Sequence, residues 1–172
     1  LLEFPVGVFG VALSTVVLPF PSKENALDNQ KRFKETLRWG LNLALLVSIP
    51  SAAGLFFLSE PLISTIFLGG SFSQYDLSMT DISLKGYSIG IIGLCMVLVL
   101  SPSFYAREDS KTPLRFGLIT LLVNIIFSII LVTYFMSINS DFPHLGLALA
   151  FSIASLTNAA LLFFHLIREK LI

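Results

Sequence analysis

The sequence predicts an all-α integral membrane protein with five transmembrane helices, from its apolar runs and the placement of its basic residues. Five long runs contain no Asp, Glu, Lys or Arg, and each can cross the roughly 30 Å hydrocarbon core of a bilayer. The chain is 55% hydrophobic and 13% charged, with a mean hydropathy of +0.85, whereas soluble domains carry about 25% charged residues. We expect spans at about 4–20, 39–58, 84–105, 113–136 and 144–167, in a single helical region over 1–172.

The basic residues predict the orientation of these spans. Ten of the eleven Lys and Arg residues lie in connections on one side of the runs, and only Lys85 lies in a connection on the other side. Because cytoplasmic connections carry the excess of Lys and Arg, the ten-residue side is predicted to be cytoplasmic. Lys85 is expected to extend its ammonium group to the outer interface.

A charged segment separates the first two runs. The first run is expected to end at Pro19, because proline removes a backbone donor and interrupts the helix. Residues 23–38 are predicted to form a cytoplasmic helix or loop, with Phe33 and Leu37 resting on the membrane surface at helical spacing. The second run contains Pro50, which is predicted to kink it.

The remaining elements have start signals and small-residue patterns. Residues 61–68 are too few to span a bilayer and are expected to form a short outer helix, followed by a polar loop over 71–80. Thr112 is predicted to cap the fourth helix, with Pro113 in its first turn. A short outer loop makes the fourth and fifth helices antiparallel neighbours. The third run is expected to let another helix approach closely through Gly86, Gly90 and Gly93.

Sparse polar residues in the runs are the candidate functional groups, because an unpaired buried polar group costs about 1–3 kcal/mol. Glu3 lies either within the outer half of the membrane, where it needs a partner, or at the outer interface in water. Asn124 and Ser128 share one helix face. With Ser152 of the fifth helix they either line a cation site or bond neighbouring helices together. Asn42 lies near the cytoplasmic end of the second run.

Several function classes are disfavoured by composition and spacing. The net charge is zero, which gives no reason to expect a nucleic acid partner. His144 and His165 lie at opposite ends of one predicted helix and cannot bind one metal ion. We therefore expect no resident metal and no organic cofactor. An enzyme would need paired titratable groups, so the residues favour a transporter.

Five segments carry family motifs in collinear order: EFPVGVFGVAL at 3–13, LRWGL at 37–41, PSAAGL at 50–55, SPSFYAREDSKTP at 101–113 and HLGLALA at 144–150. The most specific is the segment 101–113, which fits the pattern P-x-F-Y-A-R-x-D-x-x-T-P. Together these segments resemble the MurJ (MviN) family of lipid II flippases, within a larger group of multidrug and polysaccharide exporters. The motif residues of the cytoplasmic turn are Phe104, Tyr105, Arg107, Asp109, Thr112 and Pro113.

The resemblance implies a place in a larger transporter. The chain corresponds to roughly the eighth to twelfth of about fourteen helices, as part of the C-terminal lobe of a two-lobed protein that works by alternating access. Such a protein moves lipid II from the cytoplasmic to the outer leaflet of the bacterial inner membrane. The implied partners are lipid II, membrane lipids and the cell-wall synthesis machinery. Because half of the cavity belongs to the other lobe, the chain alone is expected to be inactive.

The resemblance also implies roles for individual residues. Glu3 and Asn42 are the candidate residues of the substrate cavity. Asn124, Ser128 and Ser152 are the candidate ligands of a cation, with Na⁺ as the candidate coupling ion.

Two other functions stay open at this point. One is export of another lipid-linked oligosaccharide or a drug, which the same architecture would permit. The other is a membrane scaffold for cell-wall synthesis that transports nothing. The scaffold predicts that Glu3 and Asn124 can be replaced by apolar residues without loss of function.

Overall fold

The computed structural model describes residues 26–70, 72–138, 142–169 and 171, together with Glu3 and Gly7. Five helices follow one another along these residues: α1 Ala26–Phe67, α2 Gln74–Ser88, α3 Gly90–Tyr105, α4 Lys111–Ser137 and α5 Pro143–Arg168. The predicted all-α fold is confirmed. The first predicted span, 4–20, lies outside the described residues except for Gly7.

Several helices are long and apolar enough to cross a membrane. They are the segment Lys31–Phe57 of α1, all of α4 and all of α5. The pair α2 and α3 meets the same criterion when taken together, with a bend of 42° between the two helices. The described part of the chain therefore contains three to four candidate spans, and the predicted spans 113–136 and 144–167 fall within α4 and α5.

α1 is one continuous helix of 42 residues with Pro50 and Pro61 inside it. At about 1.5 Å per residue it is about 60 Å long, roughly twice the thickness of the hydrocarbon core. The segments 26–38, 39–58 and 61–67 therefore belong to one element, whereas the sequence indicated three. A helix satisfies its own backbone hydrogen bonds in water and in lipid alike, so a change of surroundings does not end it.

The predicted cytoplasmic end of α1 is covered by other helices. Phe33 and Leu37 are only 8% and 0% exposed, so the expectation that they rest on the membrane surface is wrong. They belong to the same hydrophobic cluster as Phe104 of α3 and Leu166 of α5. The C-terminal ends of α3 and α5 contribute side chains to this cluster.

The third predicted span, 84–105, is divided between α2 and α3, and most of the expected polar loop 71–80 is helical. α2 begins with a capping box: the Ser73 N–H donates to the Asp76 carboxylate over 2.8 Å, and the Asp76 N–H donates to Ser73 Oγ over 3.3 Å. This box satisfies two N–H groups that the first turn leaves free, so a polar segment forms a helix. The turn before α2 uses Gly69 and Gly70, at φ of +144° and +60°.

The helices lie side by side in a definite order. α1 packs against α2 and α3, these two pack against α5, and α5 packs against α4. α4 and α5 are the most extensively packed pair, as the short loop between them predicts. In the most apolar 18-residue window of α4, no residue is buried within this chain. One face of α5 therefore contacts α4, and another face contacts α2 and α3.

Candidate functional site

Three glycines bring α2 and α3 into close contact with α5. A Cβ atom at Gly86 would lie 2.8 Å from Ala148 Cβ, and one at Gly93 would lie 2.6 Å from the carbonyl carbon of Ser155. No side chain larger than hydrogen fits at such distances. The predicted close approach through these small residues is confirmed.

Two serines of α5 bond to backbone carbonyl groups beside the break between α2 and α3. Ser152 Oγ donates to the Gly86 carbonyl over 2.7 Å, and Ser155 Oγ donates to the Gly90 carbonyl over 3.1 Å. Ser152 is only 2% exposed. Of the two interpretations left open for Ser152, the structure shows the hydrogen bond between helices.

Asn124 and Ser128 lie one turn apart on α4, and Ser128 Oγ donates to Asn124 Oδ1 over 3.2 Å. The structure does not bring Ser152 to them. Gly146 faces α4, and Ser152, six residues further along, is rotated about 120° around α5 towards α2. Hard cations are bound by several converging oxygen atoms. In this arrangement Asn124 and Ser128 bond to each other and Ser152 bonds to α2, and the cation site stays a prediction.

Asn42 lies in a groove of about 280 Å³ between α1, α3 and α5, lined also by Arg38, Leu41, Leu45, Met96 and Phe163. The polar groups of this groove come from Arg38 and Asn42, which share a face of α1 because they are four residues apart. The other walls are mostly apolar. Glu3, the second predicted cavity residue, is exposed, and the span that follows it lies outside the described residues.

The cytoplasmic turn between α3 and α4 is stabilised by Asp109. Asp109 Oδ1 accepts the N–H groups of Lys111 and Thr112, each over 3.1 Å. The prediction that Thr112 caps α4 is wrong, because the helix begins at Lys111 and Asp109 accepts the free N–H groups. Hydrogen bonds from the Thr112 side chain, from the Thr112 backbone and from the Lys111 backbone, with the charge of Arg107, lower the pKa of Asp109. Pro113 is buried in the first turn.

The same turn is attached to the end of α5. Phe104 is fully buried, and its ring centroid lies 5.8 Å from that of His165. Arg107 forms an ion pair with Glu169, and His165 Nε2 lies 3.4 Å from Glu169 Oε1. Tyr105 is 50% exposed. Phe104 and Arg107 of the motif therefore attach the turn to α5. The sequence did not indicate which residues of α5 they contact.

A polar cluster near the predicted outer side was not predicted from the sequence. Asp81 of α2 is 7% exposed and accepts a hydrogen bond from Ser59 of α1, which is 0% exposed. Lys85 Nζ donates to Asp81 Oδ2 over 2.7 Å, so Lys85 pairs with Asp81 on its own helix. The four-residue spacing of Asp81 and Lys85 could have predicted their ion pair, because residues four apart are neighbours on a helix. No pattern in the sequence predicted that Asp81 is buried against α1.

Comparison with known proteins gives matches over nearly the whole chain. The family model described as "Lipid II flippase MurJ" matches residues 1–172. A probable lipid II flippase MurJ of Buchnera aphidicola subsp. Acyrthosiphon pisum is 40% identical over 172 residues, which cover 100% of this chain and 32% of that protein. The corresponding Vibrio cholerae serotype O1 protein is 35% identical over 163 residues, covering 95% of this chain and 30% of that protein.

A solved structure shares the fold. It is titled "Lipid II flippase MurJ, inward closed conformation", and it matches with a TM-score of 0.80 and 33% sequence identity over 95% of this chain and 33% of that one. The chain thus spans about a third of the length of the relatives that it matches.

Proposed function

Because this chain belongs to the MurJ family, we propose that it is part of a flippase that moves lipid II from the cytoplasmic to the outer leaflet. The chain is a multi-pass protein of the bacterial inner membrane. The observation that carries the proposal is the family match over all of residues 1–172. The protein works by alternating access of a cavity shared with a second lobe, and it catalyses no chemical step.

The groove at Asn42 is the part of this chain that suits an amphiphilic substrate. Arg38 lies at the end of the span that the charge distribution assigns to the cytoplasm, the side from which lipid II enters. An arginine guanidinium binds phosphate oxygens in a bidentate manner, and the Asn42 amide offers a further donor. Met96 and Phe163 provide apolar walls beside them. We assign Arg38 and Asn42 to the first contact with the pyrophosphate and its adjoining sugar.

The test uses the full-length parent protein in cells whose own flippase can be shut off. Lipid II in the outer leaflet is followed through its cleavage by an externally added lipid II-degrading toxin. The parent should restore cleavage, and Arg38→Gln, Asn42→Leu and Glu3→Ala should reduce it at equal expression. Lys31→Gln is the matched control, because it removes the same charge from an exposed position of the same helix.

Each outcome separates one hypothesis from another. If the well-expressed parent restores no cleavage, flipping of lipid II is refuted, and export of another substrate or a scaffold role replaces it. If the parent restores cleavage but Arg38→Gln and Asn42→Leu are as active as Lys31→Gln, flipping stands and the groove is not on the substrate path. Chain 1–172 reconstituted alone should not translocate labelled lipid II.

Two other expectations stay proposals. Coupling to Na⁺ is tested by measuring flipping with and without a Na⁺ gradient, in the parent and in Asn124→Leu. Equal rates in all four cases would refute it. Association with the cell-wall synthesis machinery is tested by co-purification of the tagged parent with peptidoglycan polymerases after crosslinking in cells.

A further inference from the structure

A buried polar contact joins α1 to α2 near the predicted outer side of the membrane. The Ser59 hydroxyl donates to one carboxylate oxygen of Asp81, and Lys85 donates to the other over 2.7 Å. Leu77, Leu84 and Ile63 form an apolar cluster on the same interface. Both oxygens of a carboxylate that is 7% exposed therefore have partners, and one partner belongs to the neighbouring helix.

The chain breaks between α2 and α3, just beyond this contact. The two helices meet at Ile89 with a bend of 42°. On the far side of the break, α3 is fixed to α5: a Cβ at Gly93 would lie 2.6 Å from the Ser155 backbone, and Ser155 bonds to the Gly90 carbonyl. α3 therefore cannot shift without breaking a close backbone contact. α2 touches α5 at Gly86, three residues before the break, where Ser152 bonds to the Gly86 carbonyl. Further from the break, α2 is attached to α1 through the side chains of Ser59, Asp81 and the apolar cluster.

We propose that Ser59, Asp81 and Lys85 form a polar lock that holds α2 against α1, and that the break at Ile89 is the hinge about which α2 moves when the lock opens. Apolar packing between membrane helices has little preference over packing against lipid, whereas a hydrogen bond to a buried carboxylate is directional. Loss of the Ser59 donor leaves an Asp81 oxygen unpaired, and this oxygen regains a partner when α2 swings towards water. Lys85 moves with Asp81, since both belong to α2.

The lock and hinge are independent of the proposed flipping of lipid II, because they follow from helix packing and apply to any transported substrate. They make the part of α2 that precedes Gly86 the moving segment of this part of the protein, while Gly86 stays against α5 and α3 with α5 is fixed. Two discrete packings of a short segment about a hinge are a common form of conformational switch.

The test measures a distance in the full-length parent in lipid nanodiscs. Spin labels are attached at Thr65→Cys of α1 and Thr80→Cys of α2, two exposed positions on either side of the lock. The unmodified lock should give one narrow distance distribution. Ser59→Ala and Asp81→Asn should each add a second, longer component. Ser64→Ala is the matched control, because its hydroxyl bonds only to the Pro61 carbonyl of its own helix.

A second label pair monitors the rest of the fold. Labels at Met136→Cys of α4 and Leu147→Cys of α5 should keep the same distance in every variant. The proposal is overturned if Ser59→Ala gives the same α1–α2 distance distribution as Ser64→Ala, whether or not the two variants differ from the unmodified protein. If Asp81→Asn also broadens the α4–α5 distance, that variant has disturbed the rest of the fold. The proposal is then judged from Ser59→Ala alone, since this substitution deletes a single oxygen atom. Flipping activity plays no part in this readout.

Discussion

Replacing Gly93 by alanine should separate α3 from α5. A Cβ atom there would lie 2.6 Å from the carbonyl carbon of Ser155 and 2.7 Å from the amide nitrogen of Leu156. These are backbone atoms of a packed helix, so no side-chain rotation can relieve the overlap. To reach an ordinary contact of 3.4 Å or more, the two helices must move apart by about 0.8 Å.

The expected cost follows from that displacement. A gap of about 0.5–1 Å forfeits a quarter to a half of the dispersion energy of the contacts along it, and overpacked sites lose about 1–3 kcal/mol. Alanine also favours the helix over glycine by up to about 1 kcal/mol. The matched controls are Gly54→Ala and Gly117→Ala, where a Cβ meets nothing within 4 Å. They gain the same helix preference without the overlap.

The measurement is reversible unfolding of the full-length parent in mixed detergent micelles. Gly93→Ala should have a free energy of unfolding about 1–3 kcal/mol below that of either control variant. Because all three substitutions are chemically identical, the difference reports the packing contact alone. Equal stability of Gly93→Ala and Gly117→Ala would refute the close approach of α3 and α5 and, with it, the fixed part of the proposed hinge.

Three further predictions concern the cytoplasmic turn and the contact of α5 with α2. Glu108 has a φ of +62°, so Glu108→Gly should raise the free energy of unfolding by about 1 kcal/mol. Asp109 has a lowered pKa, through the Thr112 side chain first, so its carboxylate stabilises the fold above its ordinary pKa and this stability is lost as pH falls through the lowered value. Asp109→Asn should therefore flatten the decline in stability measured from about pH 6 to pH 2. Ser152→Ala removes the bond to the Gly86 carbonyl and should cost about 0.6–1.7 kcal/mol in the same unfolding assay.

Matched variants identify the cause in each case. Glu108→Ala removes the same side chain but keeps a Cβ at positive φ, so an equal gain in both would show that backbone strain is not responsible. If the free energy of unfolding falls with pH as steeply in Asp109→Asn as in the parent, the Asp109 carboxylate does not stabilise the start of α4. Ser137→Ala deletes a hydroxyl that bonds only within α4, and Ser152→Ala should be less stable than this control.

Long apolar segments were readable from the sequence because transfer into a bilayer depends on local composition. The runs at 113–136 and 144–167 fall within α4 and α5 for this reason. The boundaries of α1 and the division at Ile89 were not readable in the same way. Whether a helix continues past a charged segment or a proline depends on what packs against it, and Phe33 is buried by residues far along the chain.

The candidate site was predictable only in part. The cytoplasmic turn was found through its motif, since local geometry constrains residues that are close in sequence. Its partner Glu169 lies 62 residues beyond Arg107, and no pattern in the sequence joins the two. Asn124 and Ser128 were correctly placed on one face of a helix, but the face of α5 that carries Ser152 is turned towards α2.

The sequence by itself determined that this is a helical membrane protein, which of its connections are basic, and which family it resembles. These properties add up residue by residue or lie within short motifs. Only the tertiary structure decided that Ser152 bonds two helices, that Ser59 meets Asp81, and that α2 and α3 are separate helices. Each of these depends on which faces of distant helices come into contact, because a hydrogen bond forms only where donor and acceptor are brought within about 3 Å.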